Sequence, residues 1–319
     1  MKAYLFITIL LISIAIIYIK IAERFNIVDK PNHRSSHTEP IIRGAGIIFY
    51  FALFFNFVLG GFKFPFFITG VTLLAAISYI DDLISLSSKT RLVFQFTSIS
   101  LCIYQLSILT FIPVGFFPLL LIIGVGFINI FNFMDGINGI TGVYSLVAFT
   151  GLFIINVFEN LIDTNILIYL IISILIFGYF NFRKKARFFS GDIGSITLAA
   201  IFFFLITFYC YKLETPIFIL LMSVYLVDAI LTIMYRKFFL KENITEAHRY
   251  HIYQKLTDIS KFPHLKTSLI YALLQAIITA VVILVYQLNI WIQIIVFVTV
   301  SIVLFLIYMF LFKRLKIKK

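Results

Sequence analysis

Carboxylates follow apolar segments at three places in the chain. Asp81 and Asp82 stand side by side at the end of one segment, Asp135 follows another within "NIFNFMDGING", and Asp192 lies between two glycines in "SGDIGS". With Arg and His nearby and no Cys or His cage, oxygen ligands of this kind favour a hard divalent cation such as Mg²⁺. The expected chemistry is phosphoryl transfer, which needs positioning, charge neutralisation and an in-line nucleophile.

Asparagine and histidine side chains are further candidates for the same site. Asn129 and Asn132 precede Asp135 at three-residue spacing, so a helix would place them on one face. Polar groups on an apolar helix are costly in a membrane unless they are used, although an Asn- and Gly-rich turn is the structural alternative. Further along, "EAHRYH" places His248 and His251 around an arginine, which suits a diphosphate, whereas a loop histidine is usually just solvated.

Each acidic position also has a structural interpretation. Asp81 and Asp82 could be a solvated pair at a helix end, with the Ser-rich stretch after them capping the next helix. Asp192 could cap a glycine turn, and we expect the following helix to begin near Ser195. Asp228 lies inside an apolar segment, where it is either functional or a hydrogen-bonded structural carboxylate.

The composition identifies the elements that must position these residues. Hydrophobic residues make up 62% of the 319 residues and the mean hydropathy is +1.07, far outside the range of a soluble domain. A membrane-spanning helix needs about 20 apolar residues. We therefore predict an all-α polytopic integral membrane helical bundle of about 11 transmembrane helices, near 3–19, 44–61, 65–80, 92–112, 114–131, 140–158, 165–181, 194–210, 215–234, 267–286 and 290–312.

Basic residues indicate how these spans are oriented. With the N-terminus outside and the C-terminus cytoplasmic, 23 of the 26 Lys and Arg residues fall in cytoplasmic segments, as the positive-inside rule requires. Anionic membrane lipid then explains the net charge of +12, and no nucleic-acid partner is needed.

The carboxylates, amides and histidines all fall on the same cytoplasmic side. A transporter would instead place polar groups near the bilayer midplane in broken helices. This location suits a reaction between a soluble substrate and a lipid-borne one. We expect a single integral membrane transferase domain, 1–319, with active-site loops near 20–43, 81–91, 132–139, 182–193 and 235–266.

Five motifs together resemble the polyprenyl-phosphate N-acetylhexosamine-1-phosphate transferases of glycosyltransferase family 4. They follow the family's order and are "PNHRSSH…PIIRGAG", "DDLISLSSKTRLVFQ", "NIFNFMDGINGI", "ARFFSGDIGS" and "EAHRYHIYQ". The resemblance implies transfer of a sugar 1-phosphate from a UDP-N-acetylhexosamine to undecaprenyl phosphate with release of UMP. It also implies Mg²⁺, with Mn²⁺ as the alternative ion, and a multi-pass protein of the bacterial inner membrane whose active site is cytoplasmic.

The resemblance further implies roles for individual residues. By motif position, Asp192 corresponds to the main metal ligand, and Asp81 and Asp82 flank the lipid phosphate, with Asp82 as a second candidate metal ligand. Phe189 occupies the place of an aromatic that stacks on uracil. The other catalytic residues implied are His248 and His251, and the other substrate-binding residues are Asn129, Asn132, Asp135, Asn138, Arg249, Arg34 and His37.

One departure from the family's usual pattern indicates which branch of the family the chain resembles. Members in cell-wall synthesis carry adjacent histidines in the last loop, whereas this chain reads His-Arg-Tyr-His at 248–251. That form is similar to the branch that begins O-antigen or capsule repeats. Membrane lipid is an expected partner, and the apolar belt is compatible with a homodimer.

Two other function classes remain open. A polytopic transporter or flippase of a lipid-linked sugar would share the apolar helices and basic loops, but it gives no reason for carboxylates on one face. A non-catalytic membrane scaffold would not need Asp228 within a span, or Asn129 and Asn132 on an apolar face.

Overall fold

Helices make up nearly all of the regular structure. The computed structural model describes residues 2–31, 39–110, 113–243 and 248–315. The α-helices within these ranges are α1 (Lys2–Arg24), α2 (Ile47–Leu59), α3 (Pro65–Ile84), α4 (Ser88–Leu106), α5 (Phe117–Phe133), α6 (Ile140–Glu159), α7 (Thr164–Asn181), α8 (Gly191–Lys212), α9 (Ser223–Met234), α10 (Ile252–Asp258), α11 (His264–Val285) and α12 (Ile290–Arg314). A 3₁₀ segment, Pro216–Met222, leads into α9, and a π-helical turn, Tyr235–Leu240, follows it.

The described residues contain nine segments long and apolar enough to cross a membrane, which confirms the predicted polytopic all-α class. These nine segments contain α1, α3, α5, α6, α7, α8, α9, α11 and α12. The other two predicted spans correspond to α2, an apolar helix of 13 residues, and to α4. The exact number of crossings and their orientation stay predictions.

Helix α8 forms the centre of the bundle. Its apolar segment is 89% buried, whereas that of α12 is 11% buried, so most apolar side chains of α12 lie on the surface of the bundle. Helices α2, α3, α4 and α5 pack against α8, and the Phe67 ring of α3 stacks on Phe204 of α8. On another side of the bundle, α6 packs against α7 and α11.

Local sequence signals set the helix ends nearest the polar clusters. Ser87 caps α4 by accepting the N–H of Thr90 at 3.1 Å, as the Ser-rich stretch predicted. Gly139 adopts a positive φ of 84° just before α6, a conformation that glycine tolerates best. At the opposite end of the bundle, Asp163 caps α7 through the N–H of Asn165.

Two short antiparallel strands lie between α1 and α2. Val28–Asp29 (β1) pairs with Ile41–Ile42 (β2). The N–H of Phe189 donates to the Ile42 carbonyl at 2.8 Å, so the chain before α2 is tied to the chain before α8. This contact brings Arg43, the residue after β2, to the start of α8.

The predicted start of α8 is wrong, because the helix begins at Gly191 and not near Ser195. The Asp82 carboxylate accepts the N–H groups of Asp192 at 2.9 Å and Ile193 at 3.2 Å. The first amides of the helix, which have no partner within it, are therefore satisfied from α3. Asp192 lies in the first turn of α8, not in the loop before it.

Candidate active site

Those predicted polar positions that fall in the described ranges lie around one end of the bundle. Hydrogen bonds and ion pairs join the C-terminal end of α3 to the start of α4 and α8, and join the end of α5 to α8 and α10. Another set joins α9 to the start of α10. Residues from distant parts of the chain are therefore neighbours here.

Asp82 is buried among fixed partners, and its side chain has no exposed surface. In addition to the two amides of α8, its Oδ1 lies 2.7 Å from Arg43 Nε. Burial lowers the pKa of Arg43, but the neighbouring carboxylates, of which Asp82 contributes most, together raise it by more, so the net pKa is raised and Arg43 stays cationic. In this arrangement Asp82 fixes the start of α8 and the position of Arg43.

Asp81 precedes Asp82 in α3 and contacts α4. Its Oδ1 accepts the N–H of Leu86 at 2.5 Å, and its Oδ2 lies 3.2 Å from Arg91 Nη1. The Asp81 side chain is 7% exposed and that of Arg91 is 36% exposed, so the guanidinium group is the part of this pair that reaches solvent.

Asp192 stands between two guanidinium groups. Its Oδ1 lies 3.5 Å from Arg43 Nη2, and its Oδ2 lies 3.8 Å from Arg91 Nη1. The carboxyl groups of Asp81 and Asp82 are both close enough to interact with it. Three carboxylates and two guanidinium groups thus share one small volume, with formal negative charge in excess.

The donor chemistry of this cluster fits a hard divalent cation. In sites that handle phosphates, Mg²⁺ is usually held by one or two protein carboxylates, with substrate phosphates and water as its other ligands. Asp192 and Asp81, whose side chains are 19% and 7% exposed, offer such oxygens, whereas the Asp82 side chain has no exposed surface and both its oxygens accept backbone N–H groups. In the part of the chain that the structure describes, no group of three or more His, Cys, Asp or Glu side chains forms a ready metal site. A cation here would therefore need ligands from substrate or water.

Asp135 joins the same region through Ser190. The Ser190 hydroxyl donates a short hydrogen bond to Asp135 Oδ2 and so connects the turn after α5 to the start of α8. Burial raises the pKa of Asp135, although the hydrogen bond from Ser190 partly lowers it. The neighbouring Phe189 is half-buried. Sequence reasoning missed Ser190, whose only signal is its place in the "SGD" motif.

The predicted asparagines bind protein groups at three different places. Asn129 forms an amide pair with Gln95 of α4, with its Nδ2 donating to Gln95 Oε1 at 2.9 Å. Asn132 Oδ1 accepts the hydroxyl of Ser195 at 2.7 Å, one turn after Asp192. Asn138 is buried and donates to backbone carbonyls just after α7. Of the three, Asn132 is the one bonded to the first turns of α8.

The last predicted cluster lies in the turn before α10. The rings of His248 and His251 are 4.8 Å apart between centroids. Burial, and then the neighbouring His251, lower the pKa of His248 to about 3, so this imidazole is neutral at pH 7. Arg249 makes a two-point ion pair with Asp258, with N–O distances of 2.8 and 2.9 Å.

Helix α10 connects this turn to the Asp135 region. The Tyr253 hydroxyl donates to the Phe133 carbonyl at 2.9 Å, at the end of α5. The Tyr253 ring also packs directly on Gly136, where a larger side chain would meet it. Sequence reasoning missed Tyr253, because a tyrosine in an apolar chain carries no distinguishing signal.

Two predicted residues, Arg34 and His37, lie outside the described residues. The structure brings Asp81, Asp82 and Asp192 together, and links Asp135 to them through Ser190. Sequence reasoning did not select Arg91, although its place at the start of the helix after the Asp pair was an available signal.

Comparison with known proteins finds a family whose model matches the segment that holds the acidic residues of this cluster. The model of glycosyl transferase family 4 matches residues 64–210, a segment that runs from α3 to α8 and includes every acidic residue of the cluster. This segment of the chain is therefore similar to glycosyl transferase family 4. The His248–His251 turn and Arg43 lie outside the segment that the family model matches.

The names of similar proteins agree with this match. The chain is 30% identical over 197 residues to the "Putative glycosyltransferase" of Methanocaldococcus jannaschii, which covers 60% of this chain and 60% of that protein. It is 29% identical over 198 residues to the undecaprenyl-phosphate alpha-N-acetylglucosaminyl 1-phosphate transferase of Escherichia coli K12, which covers 55% of this chain and 53% of that protein. The protein of the same name from Shigella flexneri matches to the same extent. The chain thus matches less than two thirds of the length of these relatives.

Proposed function

We propose that the chain transfers an N-acetylhexosamine 1-phosphate from a UDP-sugar to undecaprenyl phosphate. The products are the undecaprenyl-diphosphate-sugar and UMP. The observation that carries the proposal is the meeting of Asp81, Asp82 and Asp192 with Arg43 and Arg91 at one end of an apolar bundle. The names of the Escherichia coli and Shigella flexneri relatives support the lipid and sugar substrates.

The reaction is an in-line displacement at phosphorus. An oxygen of the lipid phosphate attacks the β-phosphorus of the UDP-sugar and forms a new P–O bond, while the bond to the bridging oxygen breaks and its electron pair leaves with UMP. A phosphate monoester is already largely ionised at neutral pH, so positioning matters more than proton removal. Arg43 and Arg91, whose side chains are 30% and 36% exposed, are suited to bind the phosphate oxygens.

Asp192, together with Asp81, would hold Mg²⁺ at this place. When bound, the ion supplies positive charge to the diphosphate and the leaving group. The carboxylates outnumber the guanidinium groups, so the cluster as it stands would repel phosphate. Added positive charge removes that repulsion, which supports the metal assignment.

The remaining predicted residues would surround the nucleotide and the sugar. Phe189 would stack on uracil, and Asp135 and Asn132 border the same helix start. A neutral His248 would contact the diphosphate by hydrogen bonding and not by charge. The cluster would face the cytoplasm from the bacterial inner membrane, where the reaction would begin an O-antigen, capsule or other envelope polysaccharide.

Release of UMP by the purified protein tests the proposal. The assay contains undecaprenyl phosphate, Mg²⁺ and a panel of UDP-N-acetylhexosamines. Asp192→Asn should lower the rate at least about 100-fold, since it removes a charged group that acts on the reacting phosphates. Asp163→Asn is the matched control, because Asp163 also lies at a helix N-terminus but at the opposite end of the bundle. UMP release that is equal in wild type and Asp192→Asn would reject the proposal.

Metal binding can be measured separately from activity, through the melting temperature of the protein. Mg²⁺ that binds the folded protein should raise its melting temperature in a concentration-dependent way. The increase should be present in wild type and in Asp163→Asn and absent in Asp192→Asn. An equal increase in all three proteins would reject Asp192 as a ligand.

A further inference from the structure

We propose that Asp228 is a positioning residue that orients the His251 ring and the turn before α10 toward the active site. This inference deepens the proposed function and rests on it. Asp228 lies in α9, outside the segment matched by the family model, and nothing in the reaction above uses it directly.

Asp228 is buried among hydrogen-bond donors. Its carboxylate accepts the hydroxyl of Tyr271 in α11 at 2.5 Å and that of Thr232, one turn later in α9, at 3.3 Å. It also accepts the backbone N–H of Ile252 at 3.0 Å and of Tyr253 at 3.4 Å. A carboxylate that meets only donors is in the environment that an ionised group requires.

The backbone bonds fix the beginning of α10. Ile252 and Tyr253 are its first two residues, and their N–H groups have no acceptor within the helix. Asp228 satisfies both from α9 and thus holds the short helix at one place on the bundle. Tyr253 in turn bonds to the end of α5, so this anchor extends to the Asp135 region.

The side chain of Asp228 also faces His251. Their nearest atoms, Asp228 Oδ1 and His251 Nδ1, are 3.4 Å apart, and the two side chains are 4% and 2% exposed. A carboxylate beside Nδ1 favours a proton on that nitrogen, which leaves Nε2 as the nitrogen with a free lone pair. The ring is also held between His248 and Tyr253, with centroid distances of 4.8 and 5.7 Å.

An asparagine would not reproduce this arrangement. Its oxygen could still accept backbone N–H groups, but its NH₂ group is a donor placed among donors and its charge is zero. Asp228→Asn should therefore preserve much of the cap while it weakens the control of His251. This difference separates a positioning role from a purely structural one.

A double-mutant cycle tests the inference. UMP release is measured for the full-length protein and for Asp228→Asn, His251→Gln and the double variant, with Asp163→Asn as the matched control at the other end of the bundle. Asp228→Asn should lower kcat about 10- to 100-fold and change KM for the UDP-sugar less than about 3-fold. The double variant should be no slower than His251→Gln, because a residue that acts through His251 has nothing to position once the imidazole is gone.

The possible outcomes lead to different conclusions. If the two single effects multiply in the double variant, or if Asp228→Asn equals wild type, Asp228 does not act through His251 and the inference is wrong. A wild type that releases no UMP with any donor rejects the proposed function, and the inference with it. An active wild type with an Asp228→Asn variant of equal kcat rejects the inference alone.

A second variant covers the case in which Asp228→Asn does not fold. Tyr271→Phe removes the shortest hydrogen bond to the carboxylate but leaves the charge in place. It should lower kcat by about 3-fold, at the low end of the effect of losing one hydrogen bond, and the loss should vanish in the His251→Gln background. A loss that persists in that background contradicts the positioning role.

Discussion

Adjacent residues on an α-helix point about 100° apart, and this angle separates the roles of Asp81 and Asp82. Asp82 faces α8 and caps its first turn, whereas Asp81 faces α4 and pairs with Arg91. A pair that looks symmetrical in the sequence is therefore asymmetrical in the fold. The carboxylate with no exposed surface is the one that fixes the start of α8, and Asp81 and Asp192 are the carboxylates that keep exposed surface.

The pH dependence of folding should report the neutral state of His248. Its pKa is about 3 in the folded protein because of burial, and about 6.5 in the unfolded chain. Below pH 6.5 the unfolded state binds a proton that the folded state does not, so this residue costs stability as the pH falls from 6.5 toward 3. Solvent screening of a partly exposed ring limits the cost at pH 5 to about 1 kcal/mol.

His248→Gln removes this titration. The fall in melting temperature between pH 7.5 and pH 5 should be smaller in His248→Gln than in wild type. Thermal denaturation of both proteins in detergent at the two pH values measures these falls in melting temperature. Identical falls in both proteins would mean that His248 is protonated in the folded state, and then its contact with a diphosphate would be ionic.

At the scale of elements, the start of α8 depends on a glycine. Gly191 has a φ of +70°, and a Cβ there would lie 2.7 Å from the Gly44 nitrogen and would meet the Asp82 carboxylate. Gly191→Ala adds about 1–2 kcal/mol of backbone strain and displaces Asp192 from Arg43. We expect UMP release to fall at least about 10-fold, because small displacements of positioning groups are costly in catalysis.

Gly126→Ala is the matched control for this variant. Gly126 lies in α5, and a Cβ there would meet nothing within 4 Å. Its replacement should leave the rate unchanged and raise helix stability by up to about 1 kcal/mol. Equal rates for Gly191→Ala and wild type would show that the close packing at the start of α8 is not needed for activity.

The sequence was informative about elements and less so about their contacts. Long apolar segments predicted the helical membrane class, because the bilayer sets one length and one composition for every span. The start of α8 was mispredicted because its cap, Asp82, comes from 110 residues earlier in the chain, and local patterns do not report such contacts. Tyr253 was missed for the same reason, since its partner, Phe133, lies 120 residues earlier in the chain.

At the scale of the whole molecule, one prediction concerns how the bundle sits in the membrane. The active-site end also carries the exposed basic turn after α7, which includes Lys184, whereas Lys63 lies at the opposite end near the start of α3. The positive-inside rule then places Lys184 in the cytoplasm and Lys63 outside. Because UDP-sugars are cytoplasmic substrates, the proposed reaction requires the same orientation.

Single cysteines at these two positions test the orientation. Cys102 and Cys210 are first replaced by Ala, and Lys184→Cys or Lys63→Cys is then introduced. A membrane-impermeant thiol reagent should label Lys63→Cys in intact spheroplasts and label Lys184→Cys only after the membrane is opened. Each variant serves as the control for the other, because both side chains are exposed and lie at opposite ends of the bundle. The reverse pattern would put the carboxylate cluster outside the cell, where no UDP-sugar is available, and would reject the proposed donor along with the orientation.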